Sequence, residues 1–117
     1  MTATIPQVSC DELRQKIEKG DEFVLVDALS PMSYAVGHLP GAINLPPEWV
    51  DERAPRRILD SATEVVVYCA NPTCESSVQV AARLLELGYQ NVRHYAGGKL
   101  EWVGAGLPVE RGATTRP

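Results

Sequence analysis

Cys69 is the residue of this sequence whose position most directly suggests chemistry. It follows the apolar run of residues 64–68, and an apolar pattern of helical period begins after Ser76. The thiol is therefore predicted between a buried strand and a helix N-terminus, where unpaired amides and the positive end of the helix dipole favour an anion. Because the thiolate is the reactive form of cysteine, this position predicts a nucleophile.

A second cysteine, Cys74, lies five residues after Cys69. If the loop between them curls, the two Cα atoms can approach the roughly 4.4–6.8 Å that a disulfide requires. Three roles are then open to Cys74: a resolving thiol for a persulfide or sulfenate on Cys69, a small apolar residue at the rim, or a metal ligand. The Cys-x4-Cys spacing departs from the usual zinc pattern, so metal binding is the weakest of the three and no metal site is expected.

The length and composition of the chain indicate one ordinary globular domain. With 117 residues, we expect a single domain over residues 1–117, with its core at about 8–110 and a flexible tail at 111–117. Hydrophobic residues make up 44% of the sequence and charged residues 22%, which disfavours the disordered and fibrous classes.

Charge and hydropathy exclude further classes of partner. The formal net charge is −4 and no basic stripe is present, so nucleic acid is not an expected partner. No run approaches the roughly 18–20 apolar residues that cross a bilayer, and the N-terminus lacks the pattern of a leader peptide, so no membrane is expected either. Three sparse cysteines suit a reducing compartment, which predicts a cytoplasmic protein.

Strand-like and helical segments alternate along the chain. Apolar runs at 23–26, 42–45, 64–68 and 91–95 predict strands. Such alternation is typical of a parallel sheet covered by helices, because parallel neighbours need long crossovers. Ligand sites in these sheets lie outside the carboxyl ends of the strands. Asp27 and Cys69 each follow or close a strand, so we expect both at one crevice.

Capping residues and apolar periodicity predict the helices. A capping box beginning at Ser9 opens the first helix, and Ser30 followed by Pro31 opens the second. A later helix, ending at Gly88, is predicted to bury one apolar stripe against the sheet. The residues of that stripe are Val78, Ala81, Ala82 and Leu85.

Five motifs, taken in order, resemble those of the single-domain rhodanese-like sulfurtransferases. They are V-D at 26–27, Y-x2-G-H-L-P-G-A-I-N at 34–44, V-Y-C at 67–69, G-Y-x-N-V at 88–92 and G-G-x3-W-x3-G-L-P-V at 97–109. The resemblance implies a three-layer α/β fold with a mostly parallel five-stranded sheet. It also implies that Cys69 carries a persulfide between a sulfur donor and an acceptor, without metal or organic cofactor.

The segment after Cys69 is predicted to hold the persulfide. Successive backbone amides of a curled loop form a nest for an anion, and the turn formers in this segment favour such a curl. The predicted loop residues are Ala70, Asn71, Pro72, Thr73, Cys74, Glu75 and Ser76. Asp27 and His38 are expected to support the site by hydrogen bonding to the surrounding structure rather than by proton transfer.

This loop departs from the family pattern in its charge. Residues 70–77 contain no arginine or lysine, and Glu75 is present, which disfavours an anionic donor such as thiosulfate. The loop has the length found in the related cell-cycle dual-specificity phosphatases, but those need Cys-x5-Arg, and Glu75 occupies that position. Phosphatase activity is therefore disfavoured. Leu29 also replaces an arginine that often partners the aspartate at position 27.

Two functions remain open. The first is transfer of sulfane sulfur through Cys69, from thiosulfate or, more in keeping with the loop, from a protein or low-molecular-weight persulfide, to a thiol or cyanide. The alternative is a non-catalytic rhodanese-like module that binds a partner or senses oxidants through Cys69 and Cys74.

Overall fold

The computed structural model describes residues 5–71 and 73–112. Helices and strands alternate as predicted. In chain order the elements are α1 (Cys10–Lys19), β1 (Val24–Asp27), α2 (Pro31–Val36), β2 (Ile43–Asn44), a 3-10 turn (Pro47–Trp49), α3 (Val50–Arg57), β3 (Glu64–Tyr68), α4 (Ser76–Glu86), β4 (Asn91–Tyr95) and α5 (Gly98–Gly104). Gly112, within the predicted tail, donates its N–H to the carbonyl of Ala35, whereas 113–117 lie outside the described residues.

The strands form one parallel sheet in the order β2-β1-β3-β4, which confirms the predicted fold class. Among the described residues the sheet has four strands, not the five expected. The place of a fifth, beside β4, is taken by a single parallel bridge between Gln7 and His94. The pairing is short because Pro6 has no N–H to donate and Ser9 already caps α1.

Both predicted capping residues open their helices. The Oγ atom of Ser9 accepts from the N–H of Glu12 at 3.0 Å, and α1 ends at Gly20 in the left-handed conformation with φ 72°. The Oγ atom of Ser30 accepts from the N–H of Ser33 at 3.2 Å, directly before Pro31 at the first position of α2. These local hydrogen bonds satisfy amides that helix starts otherwise leave unpaired.

Apolar side chains of the central strand β3 fill a separate core on each face of the sheet. Val65 and Val67 join the cluster under α3 and α4, whereas Val66 and Tyr68 join the cluster under α1 and α5. Because both faces of β3 are covered, its apolar run is continuous instead of alternating.

The predicted buried stripe of α4 is wrong by one residue. Val78 is 47% exposed and Ala82 is also exposed, while Ala81 faces the core and Leu85 packs against it partly buried, as expected. The buried residues are Ser77, Val80, Ala81 and Leu84. The predicted and the observed stripes have the same helical spacing. The observed stripe includes Ser77, whose hydroxyl forms a hydrogen bond with His94. A polar residue with a hydrogen-bond partner thus occupies a core-facing position that hydropathy assigned to Val78.

Candidate active site

Cys69 and Asp27 lie at the same edge of the sheet. Asp27 ends β1 and pairs in register with Tyr68, the last residue of β3, so Cys69 is the first residue beyond that edge. The N–H of Ala28 donates to the carbonyl of Tyr68 at 3.0 Å and continues the pairing past the strands. The two residues therefore share one carboxyl edge, as the sequence predicted, but Cys69 packs in the cluster under α3 and α4, whereas Asp27 bonds Tyr68 of the cluster on the other face.

A disulfide joins Cys69 to Cys74. Their Cα atoms are 6.4 Å apart, within the usual range for such a bond. Cys69 is 1% exposed, and Cys74 is partly exposed and packs against the same apolar cluster. Cys74 therefore covers the sulfur of Cys69 in this state. Cys10, at the start of α1, is a free cysteine of intermediate exposure.

Asn71 holds the loop in its curled form. Its side-chain Oδ1 accepts from the N–H of Thr73 at 3.0 Å and from the Thr73 hydroxyl at 2.7 Å. Its backbone carbonyl accepts from the N–H of Cys74 at 3.1 Å. In this disulfide state the amides of Thr73 and Cys74 are thus used within the loop and are not turned toward a ligand.

The remaining loop residues occupy the approach to α4 and the rim. Ala70 is partly buried, Glu75 is exposed, and Ser76 is the first residue of α4. Glu75 precedes the helix without making a side-chain cap. Pro72, also predicted to belong to this loop, lies outside the described residues.

The start of α5 braces the backbone of the loop. The N–H groups of Lys99 and Leu100 donate to the carbonyls of Cys69 and Ala70, each at 2.8 Å. This approach requires Gly98, which has φ +68°, and a Cβ atom there would lie 2.6 Å from the Cys69 carbonyl oxygen. This role of Gly98 was not predicted from the sequence, although a Gly-Gly pair ahead of a helical turn is a signal for such a close approach.

Asp27 is fully buried and both of its carboxyl oxygens accept hydrogen bonds. The Tyr68 hydroxyl donates to Oδ2 at 2.7 Å, and the N–H of Leu29 donates to Oδ1 at 2.8 Å. The backbone at Leu29 therefore supplies a donor where related sequences often carry an arginine. Burial raises the pKa of Asp27, and the hydrogen bonds from Tyr68 and Leu29 oppose that rise.

His38 supports a neighbouring turn. Its Nδ1 lies 2.8 Å from the carbonyl oxygen of Tyr34, and its ring stacks on the Tyr34 ring at a centroid distance of 3.8 Å. Its backbone forms an antiparallel bridge with Glu110, and its Nε2 lies 3.7 Å from the Glu110 carboxylate. These contacts fit the structural role predicted for His38.

His94, for which the sequence predicts no role, lies beside the start of α4. His94 of β4 places Nε2 2.8 Å from the hydroxyl of the buried Ser77. Burial lowers the pKa of His94, which favours the neutral ring. The pair ties the first turn of α4 to the sheet, and only the fold brings the two residues together.

An apolar groove of about 320 Å³ lies beside the loop. Its lining residues are Ala70, Asn71, Lys99, Leu100 and Val103. Leu100 is 66% exposed and Val103 52% exposed, so the approach to the loop is largely hydrophobic. The Lys99 ammonium donates to the carbonyls of Gly37 and Ser33, at 2.7 and 3.1 Å, and is therefore engaged with the end of α2.

The described residues offer neither a candidate metal-ion site nor a membrane-spanning helix. No group of three or more histidine, cysteine or acidic side chains among residues 5–71 and 73–112 is arranged to hold a metal ion. Within the same ranges, no helix has the length and apolar character needed to cross a membrane.

Comparison with known proteins identifies the family of this fold. The family model of the rhodanese-like domain matches residues 9–105. Among solved structures, a Bacillus halodurans protein superimposes with a TM-score of 0.84 at 26% identity, covering 91% of this chain and 77% of that one.

Two curated relatives differ in how much of their length this chain represents. A sulfurtransferase of Allochromatium vinosum is 29% identical over 105 residues, which are 90% of this chain and 94% of that protein. An HTH-type transcriptional regulator of Mycobacterium tuberculosis is 36% identical over 102 residues, which are 87% of this chain but 43% of the regulator. The chain thus spans less than half of the regulator and nearly all of the sulfurtransferase. The family match covers most of the chain, and this protein belongs to the rhodanese-like domain family.

Proposed function

We propose that this chain transfers sulfane sulfur through a persulfide on Cys69. The observation that carries the proposal is the position of Cys69, directly after β3 at the carboxyl edge of a rhodanese-like sheet, with its carbonyl held by the N–H of Lys99. The similarity to a sulfurtransferase along 94% of that protein's length supports the same activity.

The proposed reaction starts from the reduced form of the Cys69–Cys74 pair. The Cys69 thiolate attacks the outer sulfur of the donor, a new S–S bond forms on Cys69, and the donor leaves with the electron pair of its broken bond. An external thiolate then attacks the transferred sulfur and releases Cys69 as a thiolate. In the disulfide form the N–H groups of Thr73 and Cys74 donate to Asn71. When the disulfide is reduced and the loop opens, these amides become available to the persulfide anion.

We further propose that the donor is a low-molecular-weight or protein persulfide and not thiosulfate. The described loop residues carry no cation, Glu75 is exposed, and Lys99 is engaged with backbone carbonyls. Thiosulfate would bring two negative charges to this site, whereas the hydrophobic groove suits the uncharged part of a larger donor. Sulfur would then pass to a thiol or to cyanide.

Mass spectrometry of the reduced protein tests this proposal. In the Cys74→Ser variant, which cannot close the disulfide, incubation with glutathione persulfide, and separately with thiosulfate, should add one sulfur to the Cys69 peptide, faster from the persulfide. Cys69→Ser should abolish the adduct, and Cys10→Ser should leave it unchanged because Cys10 lies in α1. If sulfur appeared equally on Cys10 and Cys69 of the Cys74→Ser protein, or on neither, the transferase proposal would be wrong.

The Cys69–Cys74 disulfide favours a second candidate function, a module that senses oxidants or binds a partner without transferring sulfur. Such a module would close the disulfide under mild peroxide and would not accept sulfur from either donor. We place either activity in the cytoplasm, where cellular thiols can reopen the disulfide and return Cys69 to its reactive form.

A further inference from the structure

We infer that Cys74 is an internal acceptor for the Cys69 persulfide, so that the protein releases sulfide and ends the cycle as the observed disulfide. This inference rests on the proposed transfer of sulfur to Cys69. It adds an activity, the reduction of sulfane sulfur to sulfide by the protein's own pair of thiols. Under this scheme no external thiol need enter the site until after sulfide has left.

The two sulfurs already meet in the fold. The disulfide closes with a Cα separation of 6.4 Å, and Cys74 packs against the same apolar cluster as Cys69. In the disulfide form, three hydrogen bonds accepted by Asn71 hold Thr73 and Cys74 in the curl that brings the two sulfurs together. A thiol held next to its target reacts with a high effective concentration, because the entropy of bringing the two together has been lost on folding.

Access and charge favour this internal thiol over an external one. Cys69 is 1% exposed, so an external thiolate must reach past the loop that carries Cys74. It must also approach the exposed carboxylate of Glu75, which repels an anion. Cys74 already lies against Cys69 and needs no approach from solvent.

The step balances without any group from outside. The Cys74 thiolate attacks Sγ of the Cys69 persulfide, the Sγ–Sγ bond forms, and the bond from Cys69 Sγ to the outer sulfur breaks. The outer sulfur leaves with the electron pair and the persulfide proton as hydrosulfide. The sulfane sulfur is reduced by two electrons, and the two cysteines are oxidised to the disulfide. A dithiol reductant then supplies two electrons and restores both thiols.

A single-turnover experiment tests the role of Cys74. Reduced protein, freed of reductant, is mixed with one equivalent of glutathione persulfide, and free sulfide and intact mass are followed over time. The wild type should release close to one sulfide per chain and lose the mass of two hydrogens as the disulfide closes. Cys74→Ser should instead retain one extra sulfur on Cys69 and release sulfide at least roughly tenfold more slowly, since the internal attack is gone.

Matched variants separate the possible failures. Cys10→Ser should behave as the wild type, and Cys74→Ala repeats the test without adding a hydroxyl. Sulfur loading of Cys69 in either Cys74 variant itself reports an intact loop. Release of sulfide by Cys74→Ser at the wild-type rate, or a stable persulfide in the wild type beside a free Cys74, would overturn this inference and leave the transferase proposal standing. If neither the wild type nor the Cys74 variants loaded Cys69 or released sulfide, both proposals would fall.

Discussion

The Tyr68 hydroxyl donates to Oδ2 of Asp27 across two neighbouring strands at 2.7 Å, and both side chains are fully buried. The same hydroxyl accepts from the N–H of Leu39 at 2.9 Å, so one tyrosine links β3, β1 and the segment after α2. Tyr68 immediately precedes Cys69 in sequence. The proposed nucleophile is thus attached to a buried hydrogen-bonded network that fixes the end of its strand.

We predict that Tyr68→Phe destabilises the fold by about 1–3 kcal/mol, because it leaves a buried carboxylate oxygen and a buried amide without a partner. Urea unfolding measures the effect. Tyr89→Phe is the matched control, since Tyr89 is also buried and its hydroxyl makes one hydrogen bond to a neutral carbonyl, that of Ile58, at 2.7 Å. A loss for Tyr68→Phe no larger than that for Tyr89→Phe would contradict the importance of the Asp27 contact.

Asp27 should make stability depend on pH in an unusual direction for a carboxyl group. Burial raises the pKa of Asp27 in the folded protein above its ordinary value in the unfolded chain. At a pH between the unfolded and the folded pKa, the folded protein keeps a proton that the unfolded chain has released. The contribution of Asp27 to the free energy of unfolding is therefore greatest below a pH of about 3.9. It is lost as the pH rises through the folded pKa.

Comparison with Asp27→Asn isolates this dependence, because asparagine does not titrate. The stability of the wild type minus that of the variant, measured by urea unfolding from acid to neutral pH, should fall as the pH rises. A difference that grew with pH would mean that hydrogen bonds from Tyr68 and Leu29 outweigh burial and lower the pKa instead.

Gly98→Ala should displace the loop and slow sulfur transfer. The added methyl group would meet the Cys69 carbonyl oxygen at 2.6 Å, and the residue would keep a positive φ that alanine disfavours. We expect a loss of stability of about 1–3 kcal/mol together with slower persulfide formation on Cys69. Thermal unfolding and the rate of sulfur loading measure the two effects.

Gly104→Ala provides the control for that substitution. Gly104 ends the same helix, has ample space for a methyl group and has no positive φ, so alanine there should be neutral or stabilise by up to about 1 kcal/mol. Equal losses of activity in the two variants would show that α5 as a whole, and not the approach of Gly98 to Cys69, is sensitive.

Removing the charge of Glu75 should improve the use of thiosulfate. Both charges of thiosulfate lie next to its reacting sulfur, whereas the carboxylates of glutathione lie away from its persulfide, so we expect Glu75→Gln to raise kcat/KM for thiosulfate roughly two- to tenfold relative to glutathione persulfide. The gain should shrink at high ionic strength, since salt screens exposed charges. Steady-state rates with both donors at two salt concentrations provide the measurement.

Glu86→Gln removes an equal charge at the other end of α4, where Glu86 pairs with Arg83 on the surface. It should leave the ratio of the two donors unchanged. If both variants shifted that ratio equally, the effect would come from net charge and not from the position of Glu75.

Local sequence signals predicted much of the fold because their physics acts over a few residues. Ser9 and Ser30 open helices through hydrogen bonds to amides three residues away, and β3 follows from one continuous apolar run. The absence of a fifth strand from residues 5–71 and 73–112, and the choice of which face of α4 is buried, were not predictable in this way. The pairing of Gln7 with β4 is limited by its neighbours Pro6 and Ser9. The buried face of α4 depends on the hydrogen bond between Ser77 and His94, which lies on β4.

The sequence alone determined the alternation of strands and helices, the edge at which Asp27 and Cys69 lie, and the absence of a cation in the loop, because these depend on residue type and on neighbours along the chain. Tertiary structure decided the closure of Cys69 on Cys74, the bracing of the loop by Gly98 and Lys99, and the pairing of Ser77 with His94. Each of these needs segments brought together at ångström precision, and that precision comes from packing the whole sheet and its helices.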